Sequence, residues 1–229
     1  MLRIGGLTSY TTTDYPGCFA AVVFCQGCPW HCDYCHNPHL LSASVRPTIT
    51  WGEVVRFLGR RQGLLDAVVF SGGEPTLQDG LADAVRAVRA SGFKVGLHTA
   101  GMYPERLRDL LPLLNWVGMD IKAPFADYER VTGVPGSGKK AMASTGLILD
   151  SGVDYEFRTT VHSALLSLDA LTTMGFELAA MGVQHYVLQE FRQQGCAEPL
   201  PAATPAYLRC AAVERLGRQF RQFSVRSSV

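Results

Sequence analysis

Phe19-Ala-Ala-Val-Val-Phe-Cys25-Gln-Gly-Cys28-Pro-Trp-His-Cys32-Asp-Tyr-Cys35-His-Asn-Pro38 holds a strand and a reactive loop in one stretch. From Phe19 to Cys25 it is continuously apolar and rich in aromatic and β-branched residues, the pattern of a buried parallel strand. The loop hangs from the C-terminal end of that strand, where parallel α/β folds gather their active sites. In it, Cys28, Cys32 and Cys35 are separated by three residues and then two. Such a loop can wrap three thiolates around a metal centre. An iron–sulfur cube normally takes four cysteines, so three would leave one iron open for chemistry. A closed zinc site of three cysteines with His31 or His36 is the competing reading. A disulfide framework fits poorly, because the cysteines crowd into one loop of a mid-sized chain. Plain buried thiols do not explain the spacing.

Outward from this loop, strand and helix patterns alternate. A capping box at Thr50-Trp-Gly-Glu53 starts a helix to about Arg61. Ala67–Phe70 reads as a second strand, ending in Ser71-Gly-Gly-Glu-Pro75, and a helix follows over Leu81–Ala90. Further strands are expected at Lys94–His98, Trp116–Ile121, Tyr155–Val161 and His185–Gln189. Helices are expected at Pro104–Leu114, Ala141–Asp150 and Leu168–Met181, with a last one, capped by Thr204, over Pro205–Phe220. Residues 1–17 read as polar and turn-like, Phe125–Lys140 and Phe191–Thr204 as loops, and Ser224–Val229 as a fraying tail. Six strand–helix units require a parallel sheet with right-handed crossovers. They suit an incomplete barrel, with a doubly wound sheet as the alternative.

With 229 residues, 47% of them hydrophobic, the chain fits one large α/β domain. The expected division is an N-terminal segment over 1–17, a barrel core over 18–190 and a C-terminal loop and helix over 191–229. A net charge of +1 gives no basic patch for nucleic acid. No apolar run is long enough for a signal peptide or a membrane span, so a cytoplasmic protein in a reducing compartment is expected. Cys18, Cys25, Cys196 and Cys210 read as inert thiols.

Polar residues are costly inside buried strands unless paired, but at strand C-termini they face the active-site end. Glu74, Thr99, Asp120, Lys122 and Arg158 each fall at or near such an end. Together they suit a zwitterion: acids for an ammonium or ribose hydroxyls, bases for a carboxylate. Gly72 and Gly73 allow close backbone approach. The bland alternatives are a tight turn at Ser71–Pro75, a local Asp120–Lys122 ion pair, and a structural Arg158. His98 reads as a satisfied core or mouth histidine.

The cysteine motif, with Tyr34 before its last cysteine, resembles the radical S-adenosylmethionine signature. Gln26-Gly27-Cys28 and Tyr34-Cys35-His36-Asn37-Pro38 narrow the resemblance to activating enzymes of glycyl radical enzymes. Those acting on anaerobic ribonucleoside-triphosphate reductase are the most similar, and the pyruvate formate-lyase activating enzymes come next. The resemblance implies a partial (β/α)6 TIM-like barrel with the cluster loop after the first strand. It implies a [4Fe-4S] cluster on Cys28, Cys32 and Cys35, with S-adenosylmethionine chelating the fourth iron. One electron, from a flavodoxin- or ferredoxin-type reductant, would then give methionine and a 5′-deoxyadenosyl radical that takes hydrogen from a glycine of a large partner enzyme. Carried over by position, Gly72, Gly73 and Glu74 would hold the methionine amino group. Tyr34 and His36 would lie beside the adenine, and Thr99, Asp120 and Lys122 would line the cofactor pocket. Arg158 would sit near the methionyl carboxylate. Asp14 stands in the place of an Asp-Gly-Pro-Gly motif and would face the incoming glycine loop, with Tyr15 replacing a glycine there. His98 departs from the acidic residue beside which pyruvate formate-lyase activating enzyme binds a monovalent cation. A radical enzyme acting on a small molecule, such as 7-carboxy-7-deazaguanine synthase, is the alternative, and a zinc-stapled binding module a more distant one.

Overall fold

The computed structural model describes residues 2–32, 34–196, 200–201 and 207–227. Its centre is one eight-stranded sheet in sequential order. The strands are β1 (Ile4–Thr11), β2 (Ala20–Cys25), β3 (Ala67–Gly72), β4 (Lys94–Thr99), β5 (Trp116–Asp120), β6 (Asp154–Val161), β7 (His185–Glu190) and β8 (Gln222–Arg226). β1 pairs antiparallel with β2, and every other neighbouring pair is parallel. The helices are α1 (Trp51–Gly59), α2 (Leu81–Ala90), α3 (Pro104–Leu110), α4 (Tyr128–Thr132), α5 (Ser137–Ser151), α6 (Leu168–Ala180) and α7 (Ala211–Gly217). From β2 to β7 each strand is followed by at least one helix, which gives the six expected units. The sheet does not close, since β1 and β8 lie at opposite ends of the strand order. The doubly wound alternative has no support in that order, because a doubly wound sheet reverses direction at a switch point.

Local rules place most of these elements. Thr50 and Glu53 form the expected reciprocal capping box at α1. Ser167 caps α6 through its hydroxyl, which accepts from the Ala170 N–H. The alternating faces of the strands divide the core. Ala21, Val23, Val68, Phe70, Val117 and Met119 pack under the helices. Ala20, Val22, Ala67, Val69 and Trp116 face the other way, with Tyr15 and Cys18 laid over them.

Several expectations are corrected. Residues 4–11 form β1, not a turn-like segment: the glycines and hydroxyl residues hide an edge strand that gains its hydrogen bonds from β2. Within Phe125–Lys140 lies α4, and α5 begins at Ser137. The helix from Pro104 stops at Leu110 and tightens into a 3-10 turn over Leu111–Leu113, where Pro112 supplies no N–H. The final helix is shorter than expected, Ala211–Gly217, and the Thr204 cap with Pro205 lies outside the described residues. Ser224–Arg226 belong to β8, not to a tail. Arg226 anchors that strand: its NH1 and NH2 donate to the Glu156 carboxylate at 2.8 and 2.5 Å.

The turn Asp14–Gly17 closes the concave side from below. His98 Nε2 lies 2.9 Å from the Asp14 carbonyl oxygen, and its Nδ1 lies 3.2 Å from Ser71 Oγ. Arg158 NH1 stands 3.2 Å from the same Nε2, so this nitrogen faces both a carbonyl acceptor and a guanidinium donor. Burial, then the nearby Arg158 guanidinium, pulls the His98 pKa down to about 4.

Two outcomes follow. Phe157 is fully buried in the core under the helices, so Phe157→Ala should cost about 3–5 kcal/mol in urea unfolding; a loss below about 1 kcal/mol would contradict this packing. Between the depressed folded pKa of His98 and its ordinary value of about 6.5, the unfolded chain binds the extra proton. Stability contributed by neutral His98 is therefore full above about pH 6.5 and falls as pH drops toward 4, by at most about 1.4 kcal/mol per pH unit. His98→Gln should flatten that part of the stability–pH curve, and an unchanged slope would count against this state.

Candidate active site

Gly72 ends β3 at φ +109°, and a Cβ there would sit 2.5 Å from the Cys25 carbonyl oxygen. At Gly73 a Cβ would come within 2.4 Å of the Gly27 carbonyl oxygen. The loop thus starts pressed against the β3 turn, stitched by Gly73 N to Cys25 O and Glu74 N to Gly27 O, both 2.9 Å. Cys28 N donates to Leu41 O, Cys35 N closes a turn on Cys32 O, and His31 N reaches Thr132 O at the end of α4.

Beneath this loop lies a cavity of about 200 Å³. Cys28, Cys32 and Cys35 line it, as do Tyr34 and His36. Gly72 and Gly73 contribute backbone, and Thr99, Asp120, Lys122 and Arg158 face it from the ends of β4, β5 and β6. So eleven of the thirteen residues expected at the site meet around one space. Glu74 and Asp14 do not line it. Glu74 is fully buried. Its Oε1 accepts from Thr76 N at 3.0 Å, Thr76 Oγ1 at 2.5 Å and Thr99 Oγ1 at 2.7 Å, and its Oε2 accepts from Ala100 N at 3.0 Å. Burial raises its pKa, and these donors oppose the rise. The carboxylate is engaged as a brace between the turn after β3 and the end of β4. Asp14 holds its Oδ2 on Thr11 Oγ1 at 2.6 Å and gives its carbonyl to His98.

The charges in the cavity form a linked set. Arg158 is 8% exposed and meets Asp120 Oδ1 through Nε at 3.0 Å and NH2 at 2.9 Å. Lys122 Nζ lies 3.8 Å from Asp120 Oδ2 and 5.4 Å from the centre of the Tyr34 ring. Burial acts against the Asp120 carboxylate, but Arg158 and then Lys122 hold its pKa below the usual range. Burial likewise opposes the Lys122 ammonium, while Tyr34, Cys32 and Asp120 keep its pKa well above the ordinary value. One acid and two bases leave a single positive charge, suited to an incoming carboxylate.

Sequence reasoning missed several residues. Tyr128 on α4 fixes the Lys122 backbone, its hydroxyl accepting from Lys122 N at 3.0 Å. Trp30, Ser71 and Thr160 also line the cavity. Thr160 was findable, since it stands two residues beyond Arg158 on the same face of β6.

Burial pushes the Cys28 thiol up to about 12, so a positive metal centre is what would keep it a thiolate. Among the described residues no three His, Cys, Asp or Glu side chains gather closely enough to hold a single metal ion. Three soft thiols spread around one cavity suit a cluster in which each iron takes its own cysteine. They suit a closed zinc set less well. His31 does not line the cavity, and His36 Nε2 points to the Arg192 carbonyl oxygen at 2.9 Å.

The chain is 33% identical over 167 residues to a Methanocaldococcus jannaschii protein named as a glycyl-radical enzyme activating enzyme, covering 69% of this chain and 67% of that one. It is 34% identical over 139 residues to a Clostridium pasteurianum pyruvate formate-lyase-activating enzyme, covering 58% of each. The chain therefore spans from about 40% to about two thirds of the length of the curated relatives it matches. A radical SAM methyltransferase from Sphaerobacter thermophilus shares the fold, with a TM-score of 0.68 at 19% identity over 96% of this chain and 68% of that one. The radical SAM superfamily model matches residues 22–166, more than half of the sequence, from β2 with its cysteine loop to the end of the loop after β6. The chain belongs to the radical SAM superfamily, whose members use a [4Fe-4S] cluster and S-adenosylmethionine.

Proposed function

We infer that this chain, read as one unit over 1–229, is an activating enzyme that installs a radical on a glycine of a glycyl radical enzyme. Anaerobic ribonucleoside-triphosphate reductase is the partner we assign, and a flavodoxin- or ferredoxin-type protein in the cytoplasm is the reductant. The observation that carries the reading is the meeting of three cysteines, the Gly72–Gly73 backbone and the Asp120–Lys122–Arg158 charges around one cavity at the strand C-termini. The names of the two relatives support the glycyl-radical class, as do the flanks Gln26-Gly27-Cys28 and Tyr34–Pro38, and the choice of the reductase rests on overall likeness to that group of activases. Among the described residues no helix is long and apolar enough to cross a membrane.

Cys28, Cys32 and Cys35 would hold the cluster. When bound, the cluster and S-adenosylmethionine supply one-electron cleavage of the sulfonium and a carbon radical. The chain's own work is placement. Lys122 and Arg158 hold a carboxylate, with Asp120 keeping both cations in register. Gly72 and Gly73 offer the cavity bare backbone for the methionine amino group. Trp30 and Tyr34, both buried, exclude water from the cluster side. The cavity is too small to enclose a protein substrate, so a partner's glycine loop has to enter from the mouth.

The decisive assay is anaerobic. The protein is reconstituted with iron and sulfide, reduced, and given S-adenosylmethionine with and without a candidate anaerobic ribonucleotide reductase. 5′-Deoxyadenosine and a glycyl radical signal in electron paramagnetic resonance are expected together. Cleavage without that signal would reassign the substrate. Cys32→Ala should leave 5′-deoxyadenosine at background, and full cleavage by this variant would overturn the cluster assignment. Glu74→Gln has to turn an amide N–H₂ toward groups that all donate. It should lose about 2–4 kcal/mol of stability and bind less iron on reconstitution; wild-type melting and iron content would show that the brace is dispensable.

A further inference from the structure

The loop after β7 folds back onto the cysteine loop. Phe191 N donates to Val161 O at 3.0 Å, which ties the loop's first residue to the end of β6. The Phe191 ring then lies 5.5 Å, centre to centre, from the His36 ring. Gln193 to Cys196 closes as a tight turn, with Cys196 N donating to Gln193 O at 3.2 Å. Within that turn stands Gly195, at φ +95°. A Cβ there would lie 2.8 Å from the His36 carbonyl oxygen and 3.8 Å from the His36 Cα, so the two backbones touch. Each backbone carries a cysteine at the adjoining residue, Cys196 after Gly195 and Cys35 before His36.

The side chains converge as well. Cys196 Sγ lies 3.7 Å from the Arg192 carbonyl oxygen, and His36 Nε2 lies 2.9 Å from the same atom. Burial raises the Cys196 pKa and the charge of Cys35 adds to the rise, so the two sulfurs are within electrostatic reach. Both thiols are partly exposed. Cys35 lines the cavity and Cys196 does not, so Cys196 stands beside the triad without belonging to it.

We propose that Cys196 is a resolving cysteine for Cys35: when a peroxide strips the cluster, the pair closes into a disulfide that keeps Cys35 recoverable. This rests on the reading that Cys35 is a cluster ligand. The Cys35 thiolate attacks hydrogen peroxide, the O–O bond breaks, and a sulfenic acid forms as hydroxide leaves. The Cys196 thiolate then attacks that sulfur, the S–S bond forms, and a second hydroxide leaves. In sum, two thiols and one peroxide give one disulfide and two waters. Without Cys196 a second peroxide carries Cys35 on to the sulfinic acid, which thiol reductants do not reverse.

The test maps disulfides in the full chain. Anaerobically reconstituted protein is treated with hydrogen peroxide until the cluster absorbance is lost, alkylated with N-ethylmaleimide and digested without reductant for mass spectrometry. A Cys35–Cys196 cross-linked peptide is expected as the main product. Dithiothreitol, then iron and sulfide, should restore most of the cluster. Cys196→Ser should take up iron like the wild type before treatment; afterwards Cys35 should carry added oxygen and most of the recoverable cluster should be lost. Gly195→Ala keeps both thiols but pushes the loop off His36, and should cut the cross-link several-fold. A Cys32–Cys35 bond as the main product overturns the proposal, as does a Cys196 that is fully alkylated once the cluster is gone. Recovery of Cys196→Ser equal to the wild type overturns the protective role. A chain that takes up no iron overturns the cluster reading instead, while the same map on the metal-free chain still decides the pairing.

Discussion

Glu74 has no solvent exposure, yet its side chain is a carboxylic acid. Such a group is tolerated inside a protein only when donors replace the water it gives up. Here the Thr76 amide, the Thr76 and Thr99 hydroxyls and the Ala100 amide do so. These donors come from the turn after β3 and the end of β4, so the carboxylate pins two strand ends to each other. The bonding continues outward: Thr99 Oγ1 accepts from Gly101 N, and the Gly101 carbonyl accepts from Ser144 on α5. In the other direction the Glu74 amide holds Gly27, just before the first cysteine of the triad. The cluster loop, the β3 turn and the rim of β4 are therefore set by one buried acid.

A second constraint acts on the cavity itself. Arg158 is buried and needs a counter-charge, which Asp120 supplies through two close contacts. Lys122 then finds Asp120 already shared, and the set keeps one positive charge in excess. Lower on β6, Glu156 is satisfied separately by Arg226 from β8, with His185 Nε2 3.5 Å away. Because Arg226 takes Glu156, Arg158 is left to the cavity. The end strand β8 thus partitions the charges of β6 into a structural pair below and a ligand-facing set above.

The sequence carried these layers unequally. Cysteine spacing and strand-end position made the site legible, because both are one-dimensional facts that the fold preserves. The helices were legible through caps, as at Thr50 and Glu53. β1 and β8 were not. An edge strand is made by its neighbour's hydrogen bonds, and Gly5-Gly6 or the short Gln222–Arg226 stretch shows little of the usual pattern. Glu74 was legible as a strand-end acid, but not its direction. That is decided by Pro75-Thr76, whose tight turn brings an amide and a hydroxyl back onto the carboxylate. α4 escaped notice for a similar reason: five residues give too little periodicity, although Tyr128 and Thr132 hold both Lys122 and the cysteine loop.

Two glycines within the central strands explain why the concave side is shaped as it is. A glycine inside a strand weakens it, so its presence asks what approaches. On β4, a Cβ at Gly96 would meet the Tyr15 ring at 3.0 Å; on β5, one at Gly118 would meet Trp116 at 2.6 Å and the Arg158 guanidinium at 3.0 Å. Room is thus made for an aromatic floor and for the cation above it. Tyr15 and Trp116 pack at a tilt with centroids 5.3 Å apart, and His98 stands edge-on to Trp116 at 5.5 Å. Tyr15 occupies the place of a glycine in the motif that the Asp14–Gly17 turn resembles, and the Gly96 gap is where its ring goes. The floor lines the lower side of the open barrel with apolar rings beneath Arg158 and Asp120. Low access to water strengthens the pull of Arg158 on a bound carboxylate.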